Sequence, residues 1–279
     1  MHIIERRKIF YIISLILIIP GLISLFTQGL NLGIDFRGGS ITQVDISGNV
    51  TVAEVRATVK DLGLERAEIT RSGNEFFIRT PELNQKQTKQ LLGALEQKFD
   101  KVEFLSAESV GATIGKELTN KAILATIIAA LAMLIYISLR FEWTFGVAAI
   151  VSEIHDILFV LGLFSLLQWE INTPFIAAIL TIVGYSINDT IVIFDRIREN
   201  LRGKRKDDYA TLVNRSVTQT FNRSINTVLT CVFALIALLI FGGGTLQLFV
   251  GAMLIGFIVG AYSSICVASP IWYELKNRA

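Results

Sequence analysis

IAAILTIVGYSINDTIVIF, running from Ile176 to Phe194, is the stretch that decides how this chain is built. It is long and apolar enough to cross the hydrocarbon core of a bilayer as one helix. Thr181, Gly184, Tyr185, Asn188 and Asp189 fall on one side of that helix, because positions three and four apart share a face. The stripe therefore ends in a carboxylate at membrane depth. An ionisable residue there costs roughly 3 kcal/mol on insertion scales, and it is usually retained for a pathway or relay.

The rest of the chain fits that reading. Hydrophobic residues make up 52% of it, and the mean hydropathy is +0.55, too apolar for a soluble domain of this length. Runs of membrane length fall at Ile9–Phe26, Ala122–Leu139, Thr144–Leu167, Thr173–Phe194, Arg223–Phe241 and Leu246–Ala268, six spans in all. The expected fold is an α-helical membrane protein carrying one α+β insert. Its parts are 1–28, the start and first span; 29–121, the insert; 122–194, spans two to four; 195–222, a basic loop; and 223–279, the last two spans and a tail.

Lys and Arg set the orientation. Arg6, Arg7 and Lys8 precede the first span, and Arg140, Arg196, Arg198, Arg202, Lys204, Arg205, Lys206, Arg215, Lys276 and Arg278 sit in alternate connections or the tail. The opposing short loops, Gln168–Asn172 and Gly242–Thr245, hold none. Both termini are thus expected in the cytoplasm and the insert outside it. The net charge of +2 reflects this bias and is no nucleic-acid signature. The first span is longer than a signal-peptide core, and Thr27-Gln28-Gly29 offers no small-x-small cleavage site, so it reads as a retained anchor. Cys231 and Cys266 lie inside apolar spans and read as packing residues, with no disulfide framework and no metal site.

The insert reads strand, helix, strand, strand, helix, strand. Gly39–Ile46 alternates; Thr51 and Glu54 form a capping box for a helix to Leu62, which Gly63 stops. Arg66–Ser72 and Glu75–Thr80 flank a Gly73-Asn74 turn, a second helix starts at Asn84, and Val102–Glu108 closes the order. This is the ferredoxin-like sequence of elements, a superfold that carries no function by itself. Before it, Asn31 to Gly39 contains Gly33, Asp35, Arg37, Gly38 and Gly39. By spacing alone this is either a fixed tight junction or a plain turn with an exposed ion pair.

Other spans add polar faces. Ser152, His155, Asp156 and Phe159 share one, with Glu153 beside it; Arg223, Asn226, Thr227 and Thr230 share another. The purely apolar run Val228–Phe241 is too short to cross about 30 Å, so Arg223 to Thr227 must enter the membrane region, at a depth Asp189 can reach. Such an Asp–Arg pair is either a structural lock or part of a pathway. Asp208 begins a stretch with Tyr209, Leu212, Val213, Val217 and Phe221 on one face, which reads either as a helix lying along the membrane surface or as a plain topological anchor. Ala252, Gly256, Gly260, Ser264 and Ala268 form a small-residue stripe suited to close helix packing.

Other chemistry fits poorly. Gly111 to Glu117 is one residue short of a P-loop and has Glu where Ser or Thr belongs. Glu153-Ile154-His155-Asp156 lacks the second His of a zincin helix, and no Gly-x-Gly-Asp surrounds Asp189 for an intramembrane aspartyl protease.

Taken together, several motifs resemble the SecF family, the smaller partner in the SecD–SecF translocation factors. They are Gly33 to Gly39, Gly184-Tyr185-Ser186-Ile187-Asn188-Asp189-Thr190 with Ile193 to Asn200, Asn222 to Thr227, Gly260 to Ile265, and His155-Asp156. Val110-Gly111-Ala112 departs from the family's common Val-Gly-Pro. The resemblance implies a six-span half of an RND-like unit that is no enzyme and needs no cofactor. Its partners would be SecD, the SecYEG channel with SecA and YajC, an unfolded preprotein and membrane lipid, with no nucleic acid. It implies a bacterial inner-membrane protein that uses the proton gradient in late preprotein export. Asp189 and Arg223 would be the proton-pathway residues, with Asp156, His155, Asn188, Asn226 and Thr227 in support. The alternative of an RND-type small-molecule exporter suits a much larger external domain. The small-residue stripe is expected to face SecD, and Gly29–Gly39 with Ser109–Lys121 to tether a swinging insert.

Overall fold

Helices dominate because long runs of Leu, Ile, Val, Ala and Phe meet few interruptions, and because the backbone of a membrane span must satisfy its own hydrogen bonds. The computed structural model describes residues 1–140, 142–203 and 207–278. Phe141 in the second connection and Lys204, Arg205 and Lys206 of the basic stretch lie outside the described residues. Two units divide the chain: Leu32–Leu124, and Met1–Asn31 together with Ala125–Ala279.

In the smaller unit a short α2 (Ile34–Arg37) leads into β1 (Gly39–Ile46), α3 (Val52–Asp61), β2 (Glu68–Ser72), β3 (Glu75–Thr80), α4 (Gln85–Lys98) and β4 (Val102–Val110). The sheet order is β2-β3-β1-β4 with every neighbour antiparallel, the ferredoxin-like topology. Both helices start in capping boxes, Thr51 with Glu54 and Asn84 with Gln87. Val44, Ile46, Val55, Val59, Phe76, Ile78, Leu91 and Leu95 fill the space between sheet and helices. β4 runs to Val110, and α5 begins at Ala112, so Ser109–Lys121 is strand and helix rather than a tether, with only Gly111 between them.

The Gly33–Gly39 junction is tight. Gly38 and Gly39 adopt φ of 78° and 132°, in the left-handed region that favours glycine. A Cβ on Gly38 would stand 2.8 Å from Ala112 Cα, and one on Gly39 2.8 Å from the Thr80 carbonyl oxygen.

Six helices among the described residues are long and apolar enough to cross a membrane. They are α1 (Arg7–Thr27), α5 (Ala112–Arg140), α6 (Trp143–Leu167), α7 (Thr173–Arg202), α8 (Tyr209–Phe241) and a last one built of α9 (Gln247–Ser263), a π turn over Ser264–Ala268 and α10 (Ser269–Arg278). Several overrun their apolar runs. The stretch 195–222 is therefore not a loop over most of its described length: α7 continues to Arg202, and α8 starts at Tyr209, capped by Asp208. Nothing from Asp195 to Arg202 breaks a helix, and Arg, Glu and Leu favour one; Gly203 ends it.

The start of α8 does not lie on lipid. Leu212, Val213 and Val217 are buried in one core with Ile3, Ile4, Phe145, Phe194, Ile197 and Trp272. The backbone N–H groups of Ile3 and Ile4 donate to Asn214 Oδ1 at 2.8 and 3.1 Å, and the terminal amine donates to Thr218. The centre of that face, Leu212, Val213 and Val217, is covered by the chain's own N-terminus and core and is not available to a membrane.

The small-residue stripe also finds its partner at home. Ala252, Ser264 and Ala268 are fully buried, a Cβ on Gly256 would overlap the Ile182 side chain, and one on Gly260 would stand 3.0 Å from Ser186 Cβ. The stripe packs on α7, not on a second protein, because small side chains let these two helices approach closely.

Candidate functional site

Asp189 sits on α7 with 9% of its surface exposed, and its Oδ2 is buried without a hydrogen-bond partner among the described residues. Ser224, Arg223 and Ser264 are close enough to act on its charge. Among the described residues no ion pair joins Asp189 to Arg223; the guanidinium is exposed, as are Asn226, Thr227 and Thr230 on the same face of α8. Thr181, Gly184 and Asn188 are exposed on α7, while Tyr185 stacks on Phe257 at 4.1 Å between ring centroids. The two polar stripes thus remain open on neighbouring helices. An open polar face of this kind suits another polar surface far better than hydrocarbon.

His155 and Asp156 belong to a different place. Asp156 is fully buried; its Oδ1 meets His155 Nδ1 at 2.9 Å, and its Oδ2 accepts from the Ser186 and Ser263 hydroxyls, each at 2.7 Å. His155 Nε2 reaches Ser14 Oγ on α1 at 3.0 Å, and Ser14 meets the Tyr262 hydroxyl at 3.2 Å. One network therefore ties α1, α6, α7 and α9. Its outer members, Ser14, Ser186, Tyr262 and Ser263, were invisible as partners in the sequence; hydroxyls recurring inside apolar runs were the only signal. Thr190 bonds Ser264 at 2.8 Å, so hydroxyls continue along α7 from Ser186 toward the turn that holds Asp189.

Glu153, on the same helix, is 7% exposed, and neither oxygen has a hydrogen-bond partner among the described residues. It borders a cavity of about 120 Å³ lined otherwise by α5, α6 and α7 side chains such as Ile137, Ile157, Ile179 and Val183. No cluster of three His, Cys, Asp or Glu that could hold a metal occurs among the described residues.

A family model described as "Protein export membrane protein SecD/SecF, C-terminal" matches residues 90–278, and "SecD/SecF GG Motif" matches residues 23–50. The chain belongs to the SecD/SecF family. A relative named protein translocase subunit SecF, from Sebaldella termitidis, is 41% identical over 280 residues, covering 98% of this chain and 91% of its own length. Another SecD/SecF relative, named protein translocase subunit SecDF, from Bacillus subtilis, is 40% identical over 279 residues, which is 98% of this chain but 38% of that protein. Among solved SecD/SecF structures, SecDF from Thermus thermophilus, described as a translocon-associated membrane protein, matches with a TM-score of 0.93 and 39% identity. It covers all of this chain and 39% of the SecDF chain. A SecDF structure in a super-membrane-facing form matches with a TM-score of 0.75 and 38% identity. The chain is thus a membrane protein of the protein-export apparatus.

Proposed function

We propose that this chain is one half of a membrane unit whose other half is SecD, and that the unit uses the proton gradient to promote late steps of preprotein export. The observation that carries this reading is the open polar face of α7 and α8, with Thr181, Asn188, Arg223, Asn226 and Thr227 uncovered beside a buried Asp189. A half-unit would leave such a face for its partner. The Bacillus relative, in which this sequence occupies 38% of a single SecDF chain, points to SecD as the occupant. In this reading the insert lies outside the bacterial inner membrane, both termini lie in the cytoplasm, and the unit serves preprotein leaving the SecYEG channel, with SecA and YajC as further partners.

Asp189 is the proton carrier of this half. A carboxylate at that depth needs either a proton or a cation. Protonated, it stands apart from Arg223 as it does here; ionised, it draws the guanidinium in. Arg keeps its own proton, so its role is electrostatic. Moving the guanidinium from the open face toward Asp189 repacks α8 against α7, and the partner half would feel that change directly. Asn188, Asn226 and Thr227 supply hydrogen bonds along the way.

The experiment is Asp189→Asn in the complex with SecD. It should assemble normally and lose proton-gradient-dependent stimulation of export. Arg223→Lys should be impaired as well, because a point ammonium lacks the planar fork. Full export stimulation by the Asp189→Asn complex under an imposed proton gradient would remove Asp189 from the mechanism.

A further inference from the structure

The chain of contacts from Phe10 to Asp156 can be counted in protons. The Tyr262 hydroxyl lies 2.9 Å from the Phe10 carbonyl oxygen, Tyr262 lies 3.2 Å from Ser14 Oγ, and Ser14 Oγ lies 3.0 Å from His155 Nε2. Three hydrogen bonds need three protons. The carbonyl supplies none, and the two hydroxyls supply one each. If Tyr262 donates to Phe10, Ser14 donates to Tyr262, and the third proton must come from Nε2. At the other end, the 2.9 Å contact between Nδ1 and Asp156 Oδ1 needs one more proton, wherever it resides along that bond.

Charge gives the same count. With a proton on Nε2 and another shared between Nδ1 and Oδ1, the pair is net neutral. Without the Nε2 proton it is a net negative charge, with Asp156 fully buried and no Lys or Arg bonded to either residue among the described residues. A buried charge without a counter-charge is strongly disfavoured. Of the titratable side chains on the helices packed here, Tyr262 is bonded into the network. Tyr11 on α1, Tyr185 and Asp189 on α7, and Cys266 of the π turn are not, and Glu153 lies one turn back beside Asp156.

We propose that His155 and Asp156 form a second proton-binding site, complete within this one chain and separate from Asp189. Loss of the Nε2 proton reverses the donors: Ser14 turns its hydrogen to Nε2, Tyr262 turns its own to Ser14, and the tie from Tyr262 to the Phe10 carbonyl is given up. Proton occupancy at α6 is thereby reported at the contact between α1 and α9. The site's existence stands on these hydrogen bonds alone; its use in export rests on the proton-driven function proposed above.

The test is nitrogen-15 NMR of the full chain, labelled in histidine and held in lipid nanodiscs. Only two histidines are present, and His2→Gln leaves His155 as the single signal. At neutral pH, Nε2 should carry a hydrogen, and raising the pH should convert it to a bare acceptor. Tyr262→Phe frees the Ser14 hydrogen for Nε2, so this variant should lose the Nε2–H resonance at neutral pH. A bare Nε2 in the native chain at neutral pH overturns the proposal, even if that variant misfolds. A hydrogen that persists on Nε2 across the whole accessible pH range also overturns it, by making the pair a fixed element. Asp189→Asn should leave the signal intact, so failure of the Asp189 reading and failure of this one are distinguishable.

Discussion

Replacing Gly21 by Ala adds one methyl group to the crossing of α1 and α6, where backbone faces backbone. Its Cβ would stand 2.6 Å from Gly162 Cα and 2.9 Å from the Gly162 carbonyl carbon. Carbon atoms rest at about 3.5–4.0 Å, so α1 and α6 must part by about 1 Å, since neither backbone can rotate aside. Overpacking of that size costs about 1–3 kcal/mol. Alanine recovers up to about 1 kcal/mol through its better helix propensity. The net loss expected is about 0–3 kcal/mol. The same interface holds the 2.8 Å bond between Ser24 and Ser165 and the 3.0 Å bond between Ser14 and His155. A separation of about 1 Å carries both beyond hydrogen-bond range. Gly162→Ala should act alike, and the double substitution should cost little more than either one, because the helices are then already apart. The assay is denaturant unfolding in detergent, followed by a thiol-reactive fluorophore at buried Cys266. Gly251→Ala is the control: nothing lies within 4 Å of its added Cβ, so it should gain stability. A Gly21→Ala chain as stable as the Gly251→Ala chain, or a double variant whose costs simply add, would refute the steric argument.

Three further outcomes follow from the packing. Glu153→Leu should stabilise the chain by about 1–3 kcal/mol in the same assay, since it replaces a buried carboxyl that has no hydrogen-bond partner among the described residues by an apolar group; a loss would reveal a bond to that carboxyl. Gly256→Leu should destabilise this chain by itself, because it overlaps Ile182 of α7, whereas an effect seen only when SecD is present would return the small-residue stripe to the partner. In the smaller unit, hydrogen bonds from the Thr51 backbone and hydroxyl hold the Glu54 carboxyl below the usual glutamate range. A group depressed in the folded state stabilises it above the ordinary pKa and loses that contribution as pH falls through the lowered value. Glu54→Gln should therefore speed amide exchange in Val52–Asp61 at pH 6 and progressively less as the pH falls through the lowered value, while an effect that does not change with pH would exclude the ionised carboxyl from the cap.

Local signals carried the reading of the smaller unit almost completely. A capping box at Thr51, a helix start at Asn84, a Gly-Asn turn and alternating strands are all written within a few residues, and the sheet then had one favoured topology. The number of spans was equally legible, since apolar length is a property of contiguous sequence. What escaped was which surface meets which. The Asp156 network draws on α1, α7 and α9, and nothing near Asp156 in sequence names Ser14 or Tyr262. The amphipathic start of α8 looked like a membrane-surface helix because its partners, Ile3, Ile4 and Trp272, come from the two ends of the chain. Hydropathy located Asp189 and Arg223 but could not say that the guanidinium would face outward.

The π turn at Ser264–Ala268 sets a phase. Each residue of a regular α-helix advances the side chains by about 100°, and a π turn holds one residue more than the α-helix it interrupts. Before it, Ser263 faces Asp156; within it, Ser264 faces Thr190; after it, Trp272 stacks on Phe145 at 4.9 Å. Pro270, two residues after the turn, has no N–H to donate, so an unbroken α-helix would lack a bond there in any case. One long span thus presents two independently phased faces, one to the polar network and one to the aromatic core. Removing a single residue from the turn would swing Trp272 about a quarter-turn out of its stack while leaving Ser263 where it is.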